Sequence, residues 1–304
     1  MKKIKAFIPL LKWFDVEFAE KNLKSNTIDW SRTIPFVVLH LGCLAVFWVG
    51  ASLSAIIAAI LLYFIRMFAI TGFYHRYFSH RSFKTNRFWQ FIFALLAASA
   101  AQRGPLWWAS HHRHHHRYSD AVQDRHSPLH HGFIWSHMGW FFASENFVTD
   151  YKLVADLVKY PELRWLNRFD LVVPLLLAVS LFLAGHFLQQ YFPELHTNGW
   201  QFLVWGFFIS TVLVFHATCS INSLAHQWGK RAFNTADESR NNFWLALITL
   251  GEGWHNNHHF YPGSARQGFY WWQIDITFYL LCLLSYTHVI HGLRPNPSNL
   301  RTEK

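Results

Sequence analysis

The sequence predicts an all-α integral membrane protein, with four transmembrane helices and a cytosolic helical cap that gathers histidines into a metal site. Three observations carry that expectation. Only 14% of the 304 residues are charged and 52% are hydrophobic, whereas a soluble domain carries about a quarter charged residues. Two long stretches are almost free of charge, and the basic residues lie around them. Histidine is over-represented at 21 residues, densest between His75 and His137. The same composition excludes disorder, collagen-like repeats and coiled coil.

The first charge-free stretch, Ile34 to Ile65, is 32 residues, too long for one crossing of a roughly 30 Å hydrocarbon core. Extended to Trp30 and Tyr74 it accommodates two spans, over about 30–50 and 52–74, joined near Gly50. The second, Leu171 to Cys219, contains only Glu194, in the turn-like QQYFPELHTNG, and gives spans over about 170–188 and 200–220. The cap is then about 75–169 and 221–304, within a single domain over 1–304, since no repeat, long linker or low-complexity segment divides the chain. The apolar runs Phe88 to Ala101 and Ile276 to Ile290 are too short to span and are expected on the membrane surface or packed against the cap.

None of the 27 Lys and Arg residues lies in either charge-free stretch or in the short loops they enclose. The positive-inside rule therefore puts the N- and C-termini in the cytoplasm. Met1 to Trp30 mixes Lys2, Lys3, Lys5 and Lys12 with Asp15, Glu17 and Glu20 and lacks a small-residue cleavage site, so it is not expected to be a signal peptide. Cys43, Cys219 and Cys282 are scattered in apolar surroundings and supply neither a disulfide framework nor an iron–sulfur cluster. The net charge of +10 is spread among Trp and Phe beside apolar spans, which fits a membrane surface rather than nucleic acid.

Four polar segments repeat histidine at regular spacings: His75 and His80 in HRYFSH, His112, His115 and His116 in HRHHH, Asn222 and His226 in NSLAH, and His255, His258 and His259 in HNNHH. At about 100° per helical residue, HxxHH keeps the second and third imidazoles each within roughly 60° of the first, and Asn222 and His226 share a face. Gly104 and Pro105 suit a helix start ahead of the second segment. His75 and His80, about 140° apart on an α-helix, are expected to straddle the end of span two. Nine imidazoles exceed the four to six ligands of one metal and fit two, with iron, zinc or copper all compatible. A ferritin-like pair of ExxH repeats is not present, Glu252 to His255 being the one plausible case. His40, His186, His196, His216, His288 and His291 are isolated and expected to be packing or interfacial. His111, His114, His126, His130, His131 and His137 are expected to be supporting or surface groups.

These residues, HRYFSHR, HHRHHHRYSD, NSLAHQWG and GEGWHNNHHFYP, resemble the three histidine boxes and the additional Asn/His motif of membrane fatty acyl desaturases, the stearoyl-CoA (delta-9) type above all. The resemblance runs from about Thr71 to Pro262. It implies a cytosolic cap holding a non-haem di-iron centre. Its ligands would be His75, His80, His112, His115, His116, His226, His255, His258 and His259, with Asn222 reaching one iron through water. It also implies the reaction: O2 is reduced with two external electrons, and two hydrogens leave a saturated acyl chain to give a cis double bond. Zinc is expected to replace iron in recombinant protein.

The resemblance extends to substrate and donor. Trp108 and Trp140 are candidates to line an acyl tunnel, and Tyr63, three turns upstream of His75, would close its floor and favour chains nearer sixteen carbons than eighteen. Positions that grip CoA in acyl-CoA members correspond here to Ser110, His111, Ser144 and Glu145, which leaves the head group open between CoA, acyl carrier protein and an intact phospholipid. The sequence has no haem-binding HPGG segment, iron–sulfur cysteines or flavin motif. A separate donor is therefore expected, a ferredoxin, rubredoxin or b-type cytochrome with its reductase, docking on the basic cytoplasmic cap of a protein in a bacterial inner membrane. Two rival readings remain. A membrane hydroxylase would share the metal site. A metal transporter or sensor would require ionisable residues inside the spans, where this reading finds only His40, His186 and His216.

Overall fold

A computed structural model describes residues 13–19 and 27–297. Lys2, Lys3, Lys5, Lys12 and Glu20, named above in the N-terminal segment, lie outside the described residues. Among the described residues there are helices and isolated bridges but no strand longer than a bridge. Four helices are long and apolar enough to cross a membrane: α1 (Trp30–Val49), α2 (Leu53–Ser79), α6 (Val172–Tyr191) and α7 (Gly199–His226). Between and after them lie α3 (Arg87–Ala98), α4 (Pro105–Tyr118), α5 (Pro161–Arg168), α8 (Phe243–Ile248), α9 (His255–Phe260) and α10 (Ile276–Tyr286).

The boundaries follow from local chemistry. Asp29 accepts from the backbone N–H groups of Ser31 and Arg32 at the start of α1, Ser52 from Ala55 at the start of α2, and Asn198 from Gln201 at the start of α7, each satisfying donors that a helix start leaves open. Gly50 ends α1 with a φ of 66°, a conformation that costs glycine little. Gly104 precedes Pro105 at the first turn of α4. A Cβ at Gly104 would collide with Asn167 of α5, and Asn167 Oδ1 accepts from Trp107 N at 2.7 Å. α5 thereby caps α4 from outside.

Helix α7 is the hub, packing on α1, α2 and α6. Helices α2 and α7 are 27 and 28 residues, about 40 Å at 1.5 Å per residue, so each overshoots a 30 Å core by two turns or more. Their C-terminal ends carry His75, His80 and His226, which places those residues at one end of the helix bundle. The opposite loops, 50–52 and 192–198, contain no lysine or arginine.

One expectation is corrected here. Arg66 lies inside the second span, buried, and so the spans do contain an ionisable residue besides His40, His186 and His216. It was missed because it falls just past Ile65, where the charge-free run ends. Its guanidinium donates to Leu62 O (3.2 Å), Ser99 O (3.4 Å), Thr211 Oγ1 (2.6 Å), Gly206 O (3.3 Å) and Ser210 Oγ (2.5 Å). Five donors meet five acceptors, none of them a carboxylate. The Gly206 carbonyl is within the π-helical segment Phe202–Ile209 of α7, whose loosened turn frees backbone acceptors. Arg66 thus ties α2 to α7 as structure, without marking a transport path. Arg66→Met should lower unfolding free energy by about 2–3 kcal/mol by leaving Ser210, Thr211 and Gly206 O unsatisfied, read as a lower melting temperature in detergent. An unchanged melting temperature would contradict the tie.

Candidate metal centre

The structure brings all nine box histidines into two groups. His75, His80, His112, His116 and His258 present one ring nitrogen each within 4.8 Å of one another, and His115, His226, His255 and His259 do the same. Helix α4 serves both groups, since His112 and His116 lie one turn apart on one face while His115 turns toward the other. Helix α9 does likewise with His258 against His255 and His259. The His75 to His80 spacing is resolved by a change of helix type. Residues Ala69–Ser79 of α2 are π-helical and His80 caps them, its N–H donating to His75 O at 3.2 Å. That i to i+5 bond superposes residues five apart, and the two rings meet at 4.8 Å instead of pointing 140° apart.

Ring nitrogens face one another as Nε2 pairs: His75 with His258 at 3.0 Å, His80 with His112 at 2.7 Å, His116 with His258 at 2.9 Å, and His226 with His255 at 3.0 Å. His258 Nε2 faces two such nitrogens, and one ring nitrogen has either one proton or one lone pair, so hydrogen bonding cannot satisfy both contacts. A cation can. Two imidazole nitrogens at right angles about an ion, each about 2.1 Å from it, are about 3.0 Å apart, which matches these separations.

Carboxylates fix the ring orientation. Nδ1 of His226 lies 2.7 Å from Asp120, that of His259 2.7 Å from Asp237, that of His115 3.0 Å from Asp124 and that of His75 2.5 Å from Glu252. Donation from Nδ1–H leaves the Nε2 lone pair facing the group, the arrangement that orients metal-binding histidines. His259 Nε2, so directed, is buried without a hydrogen-bond partner. Glu252 is held in turn by buried Arg76, which also pairs with Asp275 at 2.9 Å. Glu252 therefore orients His75 and is not half of an ExxH ligand pair. Sequence reasoning missed Asp120, Asp124, Asp237 and Arg76, and singled out Glu252 only as the one plausible ExxH case. The available signal was that several of only 17 acidic residues fall beside the histidine boxes. Of the remaining histidines, His130 and His131 bond to the backbone oxygens of Asp120 and Asp124, while buried His126 lies 3.7 Å from Asp124.

Two cavities lead to the groups. The larger, about 200 Å³, is lined among others by Trp13, Arg32, Phe36, Trp140, Phe215 and His112. The smaller, about 40 Å³, touches both groups through His75, His112, His115 and His255 and is also lined by Met67, Ile70 and Thr249. Both are lined by Trp108, Thr218 and Asn222. Tyr63 lines neither. It sits one turn beyond Met67, its hydroxyl donating to Ile248 O at 2.6 Å.

Four membrane-length helices, two convergent histidine groups of a kind that can hold metal, and largely apolar cavities reaching them are the features of a membrane metalloprotein. The sequence profile described as Fatty acid desaturase matches residues 25–288, and the chain belongs to that family. It is similar to the Acyl-CoA C20 Delta5-desaturase of Anemone leveillei, 36% identical over 95% of this chain and 91% of that protein. It is also similar to the sn-1 stearoyl-lipid 9-desaturase of Anabaena variabilis, 36% identical over 88% and 93%. The Delta-9 acyl-lipid desaturase 2 of Arabidopsis thaliana is 40% identical over 86% of this chain and 84% of its own length. The protein is therefore a membrane oxidoreductase acting on fatty acyl chains.

Burial, then neighbouring rings and cations, hold His80, His112, His116, His255 and His258 well below the usual histidine range, and burial drives His259 down to about 4. These rings are neutral and free to bind metal at physiological pH. Unfolded histidine protonates near pH 6.5, so the unfolded chain takes up protons first as pH falls. Stability contributed by these rings is complete above about pH 6.5 and is lost below it. Metal-free protein should show a falling melting temperature from pH 7 to pH 5, followed by thermal unfolding in detergent; a flat or rising profile would contradict neutral buried rings.

Proposed function

We propose that this desaturase is of the delta-9 type and holds two non-haem irons, one on His75, His80, His112, His116 and His258, the other on His115, His226, His255 and His259, with Asn222 reaching a metal through water. The observation that carries the reading is the smaller cavity, which touches both histidine groups and continues into an aromatic-walled channel. An acyl chain placed there presents an unactivated methylene pair to both groups at once. When bound, the metal pair supplies oxygen activation strong enough to break an unactivated C–H bond, which protein side chains cannot do alone.

The chain's own residues do the rest. Trp108, shared by both cavities, stacks on His112 with ring centroids at 5.1 Å, and so presses the acyl path against the first group. Thr218 and Asn222 line the opposite side where the cavities join. Trp140 walls the larger cavity, and Met67, Ile70 and Thr249 stop the chain at its far end. Tyr63 braces that end from behind by tying α2 to Ile248. The apolar lining keeps water from the reacting carbons. In balance, a CH2–CH2 unit loses two hydrogens, an external donor gives two electrons, two protons enter, and O2 leaves as two waters.

The absence of lysine and arginine from loops 50–52 and 192–198 supports cytoplasmic termini and a cytosolic cap; a single domain and a bacterial inner membrane belong to the same reading without following from that absence. An acidic ferredoxin, rubredoxin or b-type cytochrome would dock on that basic side and supply the electrons. The acyl substrate is linked to CoA, acyl carrier protein or phospholipid.

His112→Ala in a desaturase-deficient host should abolish unsaturated products and lower bound iron relative to the wild type. Unsaturation retained in the variant would overturn the site, and gain of oxygen in wild-type products instead of loss of two hydrogens would identify a hydroxylase. Tyr63→Ala should shift the product profile from chains nearer sixteen carbons toward eighteen, measured by gas chromatography of fatty acyl esters. An unchanged profile would remove Tyr63 from the floor of the path.

A further inference from the structure

Three histidines outside the metal groups are joined end to end. His40 on α1 meets His216 on α7 through their Nε2 atoms at 2.9 Å. His216 Nδ1 meets Nε2 of His137, on the π-turn Trp135–Gly139, at 2.9 Å, and His137 Nδ1 lies 2.9 Å from Ser223 Oγ. At the far end His40 Nδ1 is 2.8 Å from Phe36 O. His40 and His216 are therefore not isolated packing residues, as their spacing in the sequence suggested.

The Phe36 carbonyl dictates the whole chain, because it can only accept. His40 donates to it from Nδ1, and a neutral ring then accepts at Nε2. His216 must donate from Nε2 and accept at Nδ1. His137 must donate from Nε2 and accept at Nδ1, which draws the one Ser223 hydroxyl proton to the ring at 2.9 Å in preference to its other acceptor, Cys219 O at 3.1 Å. Every tautomer is fixed by its neighbour. Since a charge at this depth is disfavoured, the neutral chain has one direction, from Ser223 to Phe36.

The three joined elements are walls of the larger cavity. Phe36 and Leu39 come from α1, Phe141 and Phe142 follow the π-turn, and Phe215, Thr218 and Asn222 come from α7. Phe36 packs on Phe141, Phe142 and Phe215 with ring centroids at 5.7, 5.0 and 5.2 Å. Ser136 Oγ donates to Asn222 O at 2.9 Å, so the same turn also holds the residue where the two cavities join.

We propose that His40, His137 and His216 are positioning residues whose one-way hydrogen-bonded seam fixes this aromatic wall, and thereby sets which methylene pair of the acyl chain faces the histidine groups. The proposal rests on the desaturase reading above. Neighbouring methylenes are one bond apart, and a displacement of about 1 Å at a reacting centre is enough to change the outcome of a reaction.

The test compares His216→Phe with His216→Gln in membranes, at matched metal content and melting temperature, by mass spectrometry of double-bond positions in the products. The Gln amide donates to His40 and accepts from His137, so it restores the seam, whereas Phe fills the space without it. His216→Phe should raise the share of products with the bond shifted from the wild-type position at least several-fold, and His216→Gln should return to the wild-type profile. A wild-type profile in His216→Phe, or equal scatter in both variants, would overturn the proposal. The pair His137→Phe and His137→Gln makes the same comparison at the half-buried interfacial end, should a change within α7 prevent accumulation. A wild-type protein that makes no double bond would instead overturn the desaturase reading, and is distinguishable from either result.

Discussion

Ring nitrogens from four separate segments must come within a few ångströms of one another, unprotonated and with their lone pairs turned inward. Nothing in the rings themselves favours this. Protonated, they would repel; neutral and unoriented, half would offer the wrong nitrogen. The protein meets the first condition at His80, His112, His116, His255, His258 and His259 through burial, which favours the uncharged ring, and the second at His226, His115, His259 and His75 through Asp120, Asp124, Asp237 and Glu252, which hold Nδ1 and leave Nε2 free. The cost of burying those carboxylates is offset by the hydrogen bonds they accept, and Glu252 has Arg76 besides.

The helical framework answers to the same demand. Helices α2 and α7 are longer than a bilayer requires, and their last turns carry His75, His80 and His226 to α4 and α9. Regular α-geometry would have sent His75 and His80 in different directions, and the π-helical end of α2 removes that conflict. Lower in the membrane, a second π-segment on α7 gives Arg66 an acceptor at Gly206. Both departures from ideal helix thus occur where a polar side chain needs a place that 3.6 residues per turn does not give.

The parts of this arrangement that rest on local periodicity were legible from the sequence. Spans appear as charge-free runs, the turn at Gly50 as a glycine between them, the start of α4 as Gly104 and Pro105, and the box histidines as HxxHH spacings that any α-helix would align. What could not be read depends on contacts distant in sequence. Asp237 reaches His259 from a loop, and Asp120 reaches His226 across 106 positions. His40, His137 and His216 look solitary until α1, α7 and the interfacial turn are packed together. The π-helix at Ala69–Ser79 has no compositional marker, because its i to i+5 bonds are selected by the histidines it has to align. Arg66 was hidden by its position one residue past a charge-free run.

The central claim is that two irons occupy the two histidine groups. It is tested most directly by iron-edge X-ray absorption with a metal count on protein from iron-supplied cells. The account predicts two irons per chain in a first shell dominated by imidazole nitrogen, with that imidazole signal diminished when His116 and His255 are replaced together. A single iron per chain, or an imidazole signal that survives the double replacement, would contradict it.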